Sequence, residues 1–138
     1  MPPELAEVKE WLRKAEHDRR VAEAALDAKP PITDIAAFHC QQAAEKYVKA
    51  YLVHQREPFE KIHDLEQLVG QCVALDPAWE DLRDPVEPLT AYAVRFRYPG
   101  PPDPSVEEVQ TALAVVKQLR DFVLERLPRE AQEGIDNS

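Results

Sequence analysis

Thirteen prolines stand at positions 2–3, 30–31, 58, 77, 85, 88, 99, 101–102, 104 and 128, leaving residues 4–29, 32–57, 59–76 and 105–127 without one. Proline lacks a backbone donor and clashes with the preceding helical turn, yet it suits a first turn. Proline-free blocks of this length predict four helices. A shorter fifth fits residues 85–98, with Pro85 and Pro88 in its opening turn.

Spacing within the blocks agrees. Leu5, Val8, Trp11/Leu12, Ala15, Ala22 and Ala25/Leu26 recur at helical intervals, as do Leu65, Leu68/Val69 and Cys72/Val73. The last block carries Val109, Ala112/Leu113, Val116, Leu119, Val123 and Leu127 on one stripe. Thr33 or Asp34 suits an N-cap, Asp76-Pro77 a cap followed by a first-turn proline, and Ser105 with Glu108 a capping box. No segment alternates as a strand would. The expected class is all-α, an antiparallel, up-and-down bundle of four to five helices. It forms a single domain over residues 1–128, and 129–138 read as a polar, fraying tail.

A length of 138 residues, 44% of them apolar and 31% charged, suits one soluble core. The opening MPPELAEVKEW is charged and has no apolar run, unlike a signal peptide. No stretch approaches the roughly 18 apolar residues of a membrane span. Cys40 and Cys72 lie among core-type neighbours at no pairing distance, which suits buried thiols in a reducing cytoplasm. The formal net charge of −9 argues against extended non-specific nucleic-acid binding, which needs clustered Lys and Arg. One stretch departs from that balance: LTAYAVRFRYPGPP, residues 89–102, has two Arg and no acid.

The second block contains FHCQQAAEKYVKAYLV, residues 38–53. At about 100° per residue, Ala36, Ala37, Cys40, Ala43, Ala44, Tyr47, Val48, Ala50, Tyr51 and Leu52 fill a core arc. His39, Gln42, Glu45, Lys46 and Lys49 fall opposite, as a solvated face with pairs such as Glu45–Lys49 would. Ile35, Phe38 and Val53 project from that same polar arc. Large apolar groups among charges suit an interface or the rim of a site, and a two-fold homodimer would bring two such faces together.

Three blocks together resemble the HEPN family (higher eukaryotes and prokaryotes nucleotide-binding). They are FHCQQAAEKYVKAYLV, then IHDLEQL at 62–68, then AYAVRFRYP at 91–99, in the family's order and spacing across residues 5–127. The resemblance implies a helical bundle, usually dimeric, and in many members a partnership with a separate minimal nucleotidyltransferase. It is similar to the helical half of larger nucleotidyltransferases such as the kanamycin-modifying enzyme. Roles proposed within the family run from nucleotide or substrate binding to metal-independent RNase toxins.

RNase members carry Arg-x(4–6)-His at the start of a late helix, where His serves as general acid or base and Arg stabilises phosphoryl charge. Here Arg95 and Arg97 are followed at those distances by Gly100, Pro101, Pro102, Asp103 and Pro104, with no His. Arg56 and His63 have the spacing but span a connection containing Pro58, and His63 with Asp64 suits a helix start. His17, His39, His54 and His63 form no metal-ligand spacing, and no phosphate-cradling glycine loop occurs. The expectation is a non-catalytic, cofactor-free cytoplasmic module that binds a nucleotide or presents a substrate to a nucleotidyltransferase, with a toxin–antitoxin connection. Tyr92, Arg95, Arg97 and Tyr98 are the candidate ligand contacts, and Gln42, Glu45, Lys46, Lys49 and His63 a second tier lining the same cleft. An RNase with a divergent site and a purely structural protein-binding bundle stay open as alternatives. So does a helix-terminating role for the Arg97-Tyr98-Pro99-Gly100 turn.

Overall fold

In the computed structural model, residues 3–59, 64–95, 99–100 and 102–135 are described, the side chain of Val94 excepted. Five α-helices follow one another: α1 Pro3–Asp27, α2 Thr33–His54, α3 Leu65–Leu75, α4 Glu80–Arg95 and α5 Val106–Leu124. Short 3₁₀ turns sit at Pro77–Trp79 and Arg129–Gln132. No strand occurs among the described residues. None of these helices is long and apolar enough to cross a membrane.

The helix α2 is the axis of the assembly. It packs against α1, α3, α4 and α5. Fourteen of its 22 residues are buried, so its core arc extends around nearly the whole helix. Small residues permit this: Ala36, Ala37, Ala43, Ala44 and Ala50 are all fully enclosed, and side chains of this size let neighbouring helices approach closely. The α1–α2 hairpin is antiparallel, as the contacts Glu4–Arg56 at its open end and Asp18–Lys46 further along show.

Trp79 closes one end of the core. It is fully buried, with its ring 4.9 Å from that of Tyr51 on α2 and 4.8 Å from that of Phe122 on α5. Arg126 lays its guanidinium 3.5 Å from the Phe122 ring centre. Burying these rings removes a large apolar area from water and joins three elements at once.

The helix boundaries differ from expectation in three places. The fourth helix starts at Glu80, so Pro85 and Pro88 lie in its interior rather than its first turn. The Asp76-capped 3₁₀ turn runs directly into it, supplying the nucleus that the prolines would otherwise have had to begin. Ile32, not Thr33 or Asp34, is the N-cap of α2 and makes no side-chain capping bond; Asp34 instead accepts from the amide of Ile35 at 2.9 Å. The stretch read as a fraying tail contains the second 3₁₀ turn. Its Ala131 is buried, and Gln132 donates to the carbonyls of Leu124 and Leu127 at 2.7 and 3.1 Å. The capping box of Ser105 and Glu108 and the buried free thiols of Cys40 and Cys72 are as the sequence indicates.

Candidate functional site on the central helix

The polar arc of α2 is a solvated face only in part. Glu45 is 7% exposed and Lys49 4%. A helical wheel places residues relative to one another but says nothing of what covers them: Glu45 and Lys49 are enclosed, whereas His39, Gln42 and Lys46 are half-buried. Within this arc Gln42 donates to Gln41 at 2.6 Å, Gln41 to Glu45 at 3.4 Å, and Lys49 to Glu45 at 3.2 Å. The Lys49 ammonium lies 5.2 Å from the Trp11 ring centre and 5.5 Å from that of Phe59, and those two rings meet edge to face. Ion pairing and ring faces together compensate a lysine that burial would otherwise destabilise.

Lys46 points elsewhere. It joins His39 on Asp18 of α1: Lys46 binds one carboxylate oxygen, and His39 Nδ1 lies 2.8 Å from the other. Of the three apolar residues expected to project from the arc, Ile35 is exposed and Phe38 half-buried, but Val53 is 9% exposed and belongs to the core.

A third cluster ties α1, α2 and α5 together. Glu16 receives Arg120 Nε at 2.7 Å, Arg19 Nη2 at 3.1 Å and the Tyr47 hydroxyl. Burial pushes the Glu16 carboxyl up, but the bonds from Arg120, Arg19 and Tyr47 outweigh it and hold the group below the ordinary carboxylate value. Burial and the same carboxylate push the Tyr47 phenol well up, so it serves as a donor. Burial pushes the Cys40 thiol up to about 12, which removes it as a nucleophile near neutral pH.

At the end of α4, Tyr92 is 6% exposed and lines a small pocket with Pro85, Pro88, Leu89 and, from α5, Glu108, Thr111, Ala112 and Val115. Its ring is thus a wall of the bundle. Arg95, one turn on, is exposed in the last turn of α4. Gly100 follows with φ +140°, which side-chain-bearing residues rarely adopt. Arg97, Tyr98 and His63 lie outside the described residues. Of the second-tier residues, Gln42, Glu45 and Lys49 share one hydrogen-bonded line, whereas Lys46 turns to Asp18.

The sequence reading missed Glu16, Asp18, Arg19, Gln41 and Arg120. A signal existed for two of them. Asp18 and Arg19 fall between Ala15 and Ala22, where the stripe calls for an apolar residue and has none. Charges inside a core stripe must be paired with one another. Among the described residues, no group of three or more His, Cys, Asp or Glu side chains is placed to hold a metal ion.

The family model described as HEPN domain matches residues 8–127. The crystal structure of an archaeal HEPN homologue superimposes with a TM-score of 0.70 at 23% sequence identity, over 86% of this chain and 96% of that one. No curated protein matches the sequence.

Proposed function

The chain belongs to the HEPN domain family of nucleotide-binding and RNase-type modules, and from that premise we propose that it is a non-catalytic member. In this reading it binds a nucleotide or presents a substrate to a separate minimal nucleotidyltransferase. One observation carries it: Arg95 is exposed in the last turn of α4, at the centre of a stretch, 89–102, without a single acid in a chain of net charge −9. A phosphate there takes charge-assisted bonds from Arg95 and Arg97, and Tyr98 supplies a ring for a base. The buried line of Gln41, Glu45 and Lys49 fixes the geometry of α2, and Tyr92 anchors α4 in the core. Calorimetry with mono- and trinucleotides should give weak, salt-sensitive binding that falls about tenfold in Arg95→Ala and in Arg97→Ala, the loss of one charge-assisted contact. Absence of binding at millimolar nucleotide, with or without a nucleotidyltransferase, favours the structural bundle instead.

A second reading, an RNase with a divergent site, is supported by the Asp18–His39–Lys46 group. With Nδ1 donating to Asp18, His39 offers Nε2 as a base beside a lysine cation. Incubation with single-stranded RNA in chelator separates the two. The non-catalytic reading expects no cleavage, and cleavage abolished in His39→Ala establishes the other.

A further inference from the structure

We infer that the groove between α1 and the C-terminal 3₁₀ turn is a second ligand site, distinct from the α4 end, that takes the phosphate head of a small amphiphilic anion. The groove encloses about 860 Å³, a volume in the range of small-molecule sites. Its long wall is one arc of α1. Along it Ala6, Lys9, Arg13, His17, Arg19 and Arg20 stand among the carboxylates of Glu10, Glu16 and Glu23. The opposite wall is formed by Ala131, Glu133, Gly134 and Ile135. The wall is firmly docked, through the two Gln132 bonds to carbonyls at the end of α5 and through Lys9 to Glu133 at 3.4 Å.

The ion pairs along the groove decide which donors a ligand meets. Arg19 is saturated, by Glu16 at 3.1 Å and Glu23 at 2.8 Å. Lys9 is held by Glu133. Arg13 uses Nε and Nη2 on Glu10, at 3.0 and 2.5 Å, which leaves Nη1 for another acceptor. Arg20 and His17 are exposed and make no hydrogen bond or ion pair among the described residues. Arg13, His17 and Arg20 thus offer donors in a row about 10.5 Å long at 1.5 Å per residue. Guanidinium groups match phosphate oxygens bidentately. Ala6 and Ile135 at the other end receive an apolar or planar body. A long polyanion is disfavoured by the chain's net charge of −9 and by Glu10, Glu16, Glu23 and Glu133, which line the same groove.

The body comes from one of two sources, a nucleoside or an alkyl chain, on the same phosphate head. The test titrates AMP and octyl phosphate separately into the full chain at physiological salt, with backbone-amide NMR shifts as the readout. Shifts over residues 13–20 and 131–135 are expected with at least one probe. The probe that binds more tightly identifies the body. Arg20→Glu should weaken that binding at least tenfold, while Arg83→Glu, on α4 outside the groove, leaves it unchanged. Arg95→Ala should also leave it unchanged, which keeps this site separate from the one proposed at the α4 end. Shifts that avoid the groove, or binding indifferent to Arg20→Glu, overturn the inference.

Discussion

Glu16 shows how one carboxylate fixes three helices. It is the common acceptor of Arg19 on its own helix, Tyr47 on α2 and Arg120 on α5. Its folded-state carboxyl titrates below the unfolded one, so the unfolded chain binds the extra proton as the solution is acidified. The resulting stability is complete above the unfolded pKa, about 4.3 for Glu, and is lost as pH falls through the lower folded value. Denaturant melts from pH 7 to pH 3 should show this loss, and Glu16→Gln should flatten it. At pH 7 the same substitution should cost about 3 kcal/mol, because two arginines and a phenol lose their shared charge. Little of this was legible beforehand. Arg19 sits in a gap of its stripe, but only the folded chain shows that it and Arg120 reach the same acid. Glu45 and Lys49 teach the converse: the sequence places them on one arc as a pair, while their burial depends on helices far along the chain.

Among the helices, α4 and α5 differ in how plainly the sequence announces them. The start of α5 is set by local chemistry: Ser105 accepts from the Glu108 amide at 3.0 Å, and the Glu108 carboxylate reaches back to the Ser105 amide. Such a box is read from four consecutive residues. Ser105→Ala should lower stability by about 1 kcal/mol in a urea melt, with restoration by Ser105→Asp. The start of α4 is set by something less local. Pro85 and Pro88 leave the carbonyls of Asp81 and Asp84 without their helical donors, and a proline-based reading begins the helix at the prolines. The helix nevertheless extends back to Glu80, because Leu82, Val86 and Leu89 bury against the core and Trp79 anchors the preceding turn. Tertiary burial there outweighs a local rule.

The whole molecule bears on assembly. We propose a homodimer through the α1–α2 face, where Val21, Ile32 and Ile35 are exposed and Phe38 is half-buried. With Val53 inside the core, the apolar part of this face lies at the N-terminal end of α2. Sedimentation at micromolar concentration should show a dimer that Ile35→Glu converts to monomer without loss of helicity. A monomeric wild type would exclude it. The number of helices and their order were legible because proline and periodicity act locally. The centrality of α2 was not, since alanine-rich helices look alike whether they line a bundle or occupy its middle.

The contact between Lys9 and Glu133 brings the beginning of α1 against the turn that follows α5. In topological terms the backbone is almost a closed ring. A linker between the segment after α5 and α1 would complete it. The chain could then be reopened at the connection after α2, turning a central helix into a terminal one while every side-chain contact between helices stays the same. Order along the chain and order in space are separable in this fold, and only the second is held by the clusters around Glu16, Glu45 and Trp79.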